Sequence, residues 1–274
     1  MQPDNGAPAR RSGQARAGFR LYPDHLVINV KYAMARYEQV FQELGFTLTP
    51  RSVHSLGSVN RLAVFAEGYL ELIGLPPEAA NPRKDVLESY TGIDGLVFSM
   101  GDSDTLQARL SEQGFAFQAV QRFSRPVEID GVQQLAEFET VRLTPGQFRE
   151  GRVYFCRHLT PQLVWREEWM RHPNTARALG GISTAASDPE TTAKRYAALG
   201  ESTLPVSVYT VREAAERFGV SSLPPDRFVA VTVRCDDPGI AAGLVKQSGR
   251  AYTLRDDVLL VPLEELDAVL EFTG

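Results

Sequence analysis

Two ionisable side chains in this sequence sit in runs that make them costly to leave without a partner. His25 lies in D-H-L-V-I-N-V (24–30), and Glu71 lies in Y-L-E-L-I (69–73). A carboxylate in such a run needs a cation or hydrogen-bond donors before it can be buried. His25 is a candidate partner; a simple Glu–His hydrogen bond or a solvated sheet edge fits the same residues. Asn60 and Arg61 open another strand-like run, where an arginine can grip a carboxylate in bidentate geometry or form a surface ion pair. Cys156, Arg157 and His158 are consecutive. Neighbours on a strand point to opposite faces, so activation of the thiol by Arg157 is not implied. His54, in the loop R-S-V-H-S-L-G-S-V-N, either closes over a ligand or faces solvent. No G-x-S-x-G elbow, P-loop, dinucleotide G-x-G-x-x-G turn or H-E-x-x-H zinc motif occurs in the context that would give it meaning.

The elements that must position these residues follow from periodicity. Leu26, Ile28 and Val30 alternate with His25, Val27 and Asn29, which predicts a strand with two different faces. If the first three pack on a helix, the second three face the other way. By the same rule Leu70 and Leu72 belong to the helix side, while Tyr69, Glu71 and Ile73 share the opposite face. A helix is expected over 32–44 with Gly45 as its stop. Strands are expected near 46–52, 61–66 and 69–75, with Glu67-Gly68 as a hairpin turn. This β-α-β-β-β unit is then partly rewritten. D-G-L-V-F-S-M (94–100) echoes the first strand, and L-S-E-Q-G-F (110–115) echoes F-Q-E-L-G-F (41–46). The second copy has a helix over 103–113 capped by Asp102 or Ser103, then strands near 116–123, 134–142 and 152–158, with Gly131 and Pro145-Gly146 at the turns. Gly95 stands where the first copy has His25. Aligning 154–158 with 69–73 places Tyr154 beside Tyr69 and Cys156 opposite Glu71, with His158 two residues further along the same face.

After residue 160 the texture changes. Trp165 and Trp169, at helical spacing, suit core or interface more than a substrate platform. His172-Pro173-Asn174 caps the site, bridges the halves or serves as a structural linker. A shorter repeat follows, in which Asp188-Pro189 runs to Gly200 and Asp237-Pro238 runs to Gly249. Aspartate as N-cap, proline at the first helical position and glycine past the end are consistent helix signals. The expected organisation is an arm over 1–20, a module pair over 21–163, a connector over 164–179 and a second, degenerate pair over 180–274.

The chain has 274 residues, of which 43% are apolar, and a net charge of −5 from 29 basic and 34 acidic side chains. That balance is ordinary for a globular protein and makes no general case for nucleic acid or an anionic membrane. No apolar run approaches the roughly 18 residues of a membrane span. Two cysteines, Cys156 and Cys235, make neither a disulfide framework nor a metal finger, so a reducing, cytoplasmic setting is the economical reading. Arg10, Arg11, Arg16 and Arg20 read as a flexible basic arm, without the apolar middle of a secretory signal.

The opening D-H-L-V-I-N-V, the closing N-R-L-A-V-F-A-E-G-Y-L-E-L-I-G (60–74), and F-C-R-H-L-T-P-Q-L-V-W (155–165) followed by R-H-P-N together carry a resemblance. They resemble the glyoxalase-like proteins of the vicinal oxygen chelate (glyoxalase/bleomycin resistance/dioxygenase) superfamily, over roughly residues 22–175. The resemblance implies an α+β fold in which paired βαβββ modules form an open, cup-like barrel, with a second more degenerate module pair. It also implies a divalent metal (Zn, Mn, Ni, Co or Fe) held by first- and last-strand residues of each module. Carried over, the metal positions are His25 and Glu71, with His158 in place of the partner lost at Gly95. Glu71 doubles as a catalytic base, and Asn60, Arg61, Tyr69, Tyr154 and Cys156 line the substrate cavity. Two functions follow. One is a metal-assisted lyase, isomerase or dioxygenase acting on a small oxygenated metabolite. The other is a metal-independent protein that binds or sequesters a small molecule in the same cup. Retention of His25 and Glu71 favours the first, and Gly95 favours the second. The expected partner is a small molecule, with neither nucleic acid nor membrane, and a homodimer is a further expectation because such modules often complete their cup across an interface.

Overall fold

The computed structural model describes residues 19–79 and 81–274. The expected basic arm lies, through residue 18, outside the described residues. After the short strand β1 (Arg20–Leu21), the first module comprises β2 (Pro23–Lys31), α1 (Met34–Glu43), β3 (Ser52–Val53), β4 (Val59–Val64) and β5 (Tyr69–Gly74). The short helix α2 (Lys84–Glu88) leads into the second: β6 (Gly92–Ser99), α3 (Ser103–Glu112), β7 (Gln121–Ile129), β8 (Val132–Arg142) and β9 (Arg152–His158). These strands form one sheet in the order β3-β4-β5-β2-β6-β9-β8-β7. Read outward from the antiparallel β2–β6 pair, the two halves have the same order, as a duplicated unit related by a pseudo-two-fold axis requires. Both helices also end alike. Phe46 N donates to Phe41 O and Gly45 N to Gln42 O, both at 2.9 Å, while Phe115 N donates to Leu110 O at 2.9 Å and Gly114 N to Ser111 O at 3.0 Å. Gly45 and Gly114 take φ of 82° and 76°, the left-handed turn that closes each helix.

The sheet curls until its edges meet. Ser52 Oγ donates to Pro126 O at 2.5 Å, and Ser55 N donates to Ser124 O at 2.8 Å. The result is a nearly closed eight-stranded barrel.

Two strand expectations need correction. Residues 46–51 are not a strand, because Pro50 has no N–H to give a ladder. Thr49 instead holds Leu62 from both sides, accepting from Leu62 N through Oγ1 at 3.0 Å and donating its own N–H to Leu62 O at 2.9 Å. The strand expected near 116–123 runs later, over β7, and includes Pro126. Proline is tolerated there because β7 is an edge strand.

The second half comprises β10 (Ala176–Ala186), α4 (Pro189–Leu199), β11 (Glu201–Ser202), β12 (Val206–Thr210), α5 (Val211–Phe218), β13 (Arg227–Cys235), α6 (Pro238–Gln247), β14 (Thr253–Arg255), β15 (Val258–Leu263) and β16 (Ala268–Thr273). Its six-stranded sheet has the order β12-β10-β13-β16-β15-β14, and β11 pairs with β1 instead. Asp188 and Asp237 cap α4 and α6 as expected, accepting from Thr191 N and from Gly239 N. The module from β13 to β16 is complete. The one before it lacks two ladder strands and has α5 instead. Ala214 and Phe218 of α5 pack against Ala185, Val229 and Val269 on one face of this sheet. The other face supplies Val231, Leu270 and Phe272 to a core shared with Leu26, Ile28 and Val30 of β2 and Tyr37 and Phe41 of α1. Helix α1 is therefore packed between the two halves, and its Tyr37 hydroxyl donates to Glu265 at 3.3 Å.

At the centre of the barrel Gly95 pairs with Val27 across β2 and β6. A Cβ at position 95 would lie 2.7 Å from Val27 Cβ, so no side chain of any kind fits there. Gly95→Ala is expected to lower stability by about 1–3 kcal/mol through overpacking, read as a lower midpoint in urea unfolding. An unchanged midpoint would show that Val27 moves aside freely.

Candidate functional site

Two β-bulges at the middle of the barrel set up the site. Pro23 pairs with Phe98 and His25 with Val97, which leaves Asp24 as an extra residue on β2. Val27 pairs with Gly95 and Ile28 with Ile93, which leaves Asp94 extra on β6. A bulge re-aims its side chain, and both aspartates are buried. Each copy of the repeat begins with one of them. Asp94 accepts from Arg152 Nη2 at 2.8 and 2.9 Å and from Asn29 Nδ2 at 3.3 Å. Asp24 Oδ1 lies 2.5 Å from His25 Nδ1 and 3.1 Å from His158 Nε2. Burial alone would raise the Asp24 carboxyl, but the two histidines outweigh it and hold it well below the usual carboxylate range.

His25 has its other nitrogen in the interior. Because the Asp24 carboxylate can only accept, Nδ1 donates to it, and Nε2 is the nitrogen that faces the cavity. Tyr154 Oη lies 3.2 Å from Nε2, and Glu71 Oε2 lies 3.7 Å from it. The ring stacks on Tyr69 with centroids 4.5 Å apart. Glu71 Oε1 accepts from Asn60 Nδ2 at 2.8 Å, and the same amide nitrogen is 3.2 Å from His54 Nε2. His54 Nδ1 in turn is 2.8 Å from Ser58 Oγ. Burial opposes ionisation of Glu71, yet His25, His54, Asn60 and Arg83 keep its carboxyl lowered. Burial and Glu71 together push the Tyr154 hydroxyl up.

These groups line a cavity of about 20 Å³ together with Arg83, Arg125, Phe123, Phe138, Arg142 and Cys156. That space holds about one water. Arg142 and Tyr154 are also the wall of an outer pocket of about 400 Å³, lined further by Tyr90, Leu143, Phe148 and Val153. Arg83, Arg142 and Arg152 all reach Asp85, at 2.8, 2.7 and 3.2 Å. Among the described residues, Arg125 reaches no carboxylate in this way.

The expected site residues divide by face. His25, Asn60, Tyr69, Glu71, Tyr154 and Cys156 come together in the interior. Arg61 points outward, donating through Nε to Thr49 O at 2.6 Å and lying 3.7 Å from Glu38. His158 lies inside but beyond Asp24, in contact with Trp165 at a centroid distance of 4.6 Å. It therefore meets the Nδ1 side of His25, opposite the edge facing Glu71. His172 is a structural bridge, with Nδ1 3.0 Å from Thr47 N and Nε2 2.8 Å from Val64 O. Trp169 is buried with the interior apolar cluster.

The ladder also corrects the alignment of the copies. His25 pairs with Tyr69 and Gly95 with Arg152, so Val27 beside Glu71 corresponds to Val97 beside Tyr154. The residue equivalent to Glu71 is Tyr154, and Cys156 matches Ile73. The four positions that would hold an ion are thus His25, Glu71, Gly95 and Tyr154. Only the first two are good donors, and a neutral phenol is a poor one. A catalytic zinc takes about three protein ligands, so these residues do not fit a metal at the centre. Away from it, donor atoms of Asp24, Cys156 and His158 lie within 4.8 Å of one another. Burial, with Asp24 and Glu71, pushes the metal-free Cys156 thiol far up.

The glyoxalase-like domain family matches residues 24–200, and the chain belongs to it. A hypothetical protein from Staphylococcus aureus is similar in structure at a TM-score of 0.63 and 9% identity, over 92% of this chain and 98% of that one. A triple mutant of 4-hydroxymandelate synthase from Streptomyces coelicolor gives 0.57 and 12%, over 92% of each chain. A xylose isomerase-like TIM barrel/4-hydroxyphenylpyruvate dioxygenase fusion protein gives 0.54 and 12%, over 93% of this chain and 49% of that one. These three structures share the fold of this chain. No curated protein sequence matches the chain. Among the described residues no helix is long and apolar enough to cross a membrane.

The His54 imidazole is pushed down to about 3 by burial, with Arg83, Arg125 and His25 adding to the effect and Glu71 opposing it. Unfolded histidine titrates near 6.5, so below that pH the unfolded chain takes up a proton that the folded one refuses. Stability from this group is full above about 6.5 and is lost as pH falls, by up to about 1.4 kcal/mol per unit. Between pH 6.5 and 5, His54→Gln should flatten the decline seen in wild-type urea midpoints. Parallel profiles for the two proteins would mean that His54 protonates freely in the fold.

Proposed function

We propose that this glyoxalase-like protein binds a small oxygenated molecule in the barrel interior without a metal, with His25 as the polar centre of the site. The observation that carries this reading is Tyr154. It occupies the position equivalent to Glu71, and its hydroxyl faces His25 Nε2, the atom an ion at the family position would use. The chain Asp24–His25–Tyr154 is a hydrogen-bonded relay. Asp24 fixes the imidazole, and Nε2 can take or return a proton at the oxygen of a ligand that replaces the Tyr154 hydroxyl. Glu71, held by Asn60, adds a second acceptor beside it.

The alternative, a metal-assisted lyase, isomerase or dioxygenase, draws support from the 3.7 Å between His25 Nε2 and Glu71 Oε2. Two donors on one ion stand roughly 3–4 Å apart.

Calorimetric titration of chelator-stripped protein with Zn, Mn, Ni, Co and Fe(II) separates the two. The expected result is no stoichiometric binding to wild type. Tyr154→Glu, which supplies the missing carboxylate, should gain a site that Glu71→Gln then abolishes. A stoichiometric ion in the wild type that Glu71→Gln removes would overturn the metal-independent reading in favour of the alternative.

A further inference from the structure

We infer that Arg125 is the anchor for a carboxylate ligand, and that the ligand also carries a hydroxyl. This rests on the reading of the barrel interior as a small-molecule site and names the class of molecule.

Arg125 is 2% exposed, on β7, and lines the central cavity. Its Nε and Nη2 have no hydrogen-bond partner. Those two nitrogens form the side edge of the guanidinium, with parallel N–H groups. Elsewhere in this chain the same edge grips a carboxylate: Arg51 holds Glu38 at 2.8 and 2.6 Å, and Arg83 holds Asp85 at 2.8 and 2.9 Å. A buried guanidinium without a counter-charge is strongly unfavourable. Glu71 offsets the charge only from a distance and makes no ion pair with Arg125, since its oxygens are taken up by Asn60 and face His25 and His54. The cation–π contact with Phe138, at 5.9 Å, leaves both N–H groups free. A planar two-oxygen anion is what this edge is shaped to receive.

The hydroxyl follows from Asn60. Its Nδ2 must face Glu71, because a carboxylate only accepts, and this fixes Oδ1 as an acceptor. Oδ1 is buried and has no partner. A ligand that satisfies both unpartnered groups offers a carboxylate to Arg125 and a donor O–H to Asn60. The present cavity of about 20 Å³ is too small for it. The wall made by Arg142 and Tyr154 separates the cavity from the outer pocket of about 400 Å³, and entry proceeds as Tyr154 leaves His25.

The test is calorimetry on the chelator-treated full chain with lactate, acetate and propane-1,2-diol. Lactate should bind in a 1:1 ratio, acetate at least tenfold more weakly, and the diol not measurably. Arg125→Met should weaken lactate at least tenfold and, free of ligand, melt at a higher temperature than wild type, because it removes a buried charge that has no direct partner. A purely structural arginine would melt lower on substitution. Should Arg125→Met fail to fold, Arg125→Lys keeps the charge without the fork and should show the same loss of lactate. Equal binding of lactate and diol, no lactate binding at all, or full binding by the variants would overturn the assignment. Lactate binding that appears only after zinc is added would instead sink the metal-independent reading, while the Arg125 variants still report on the carboxylate contact.

Discussion

The pairing of β2 with β6 is the constraint on which the rest depends. Leu26 sits opposite Leu96, and one bulge lies on each side of that pair. The bulges are related by the same pseudo-symmetry as the modules, and each turns an aspartate inward. Two buried carboxylates have to be answered by cations or donors. Asp24 is answered by histidines, His25 and His158; Asp94 by Arg152 and Asn29. The interior is polar because the register makes it so, and the chemistry differs between halves because the answers differ.

Most of the framework was legible in the residues. The alternation through 24–30 and 69–73 correctly separated inward from outward side chains, since a strand's period of two leaves no other arrangement. The glycine stops at 45 and 114 and the Asp-Pro caps of α4 and α6 were equally plain, because each is a local signal with a local cause. Failures came where local signals are weak or where distant parts decide. Pro50 ended a strand that its neighbours suggested. The alignment of 154–158 slipped by two residues because each last strand holds a tyrosine that invites matching, yet it stands first in β5 and third in β9. Asp24 and Asp94 were present in both copies of the repeat, yet inward-turned aspartates need a bulge, and bulges leave no mark in hydropathy. Arg125 had no signal at all: an arginine before a proline reads as surface, and only barrel closure buries it.

The two module pairs have been put to different uses. In the first the barrel interior keeps a polar site. In the second, α5 lies over one face of the sheet and covers it with Phe218 and Ala214. The connector between them also contributes to the site's walls, through Trp165 against His158 and Tyr69.

The core shared between the sheets has a consequence for how the chain matures on the ribosome. Phe46 of the first module stacks on Phe272 near the end of the chain, 5.8 Å away, and β1 finds its ladder partner only in β11. A nascent chain that has reached the connector still lacks the surface that covers α1, and its first strand has nothing to pair with. Contacts of such long sequence separation form late. The core beneath the barrel is therefore complete only when the second half is present.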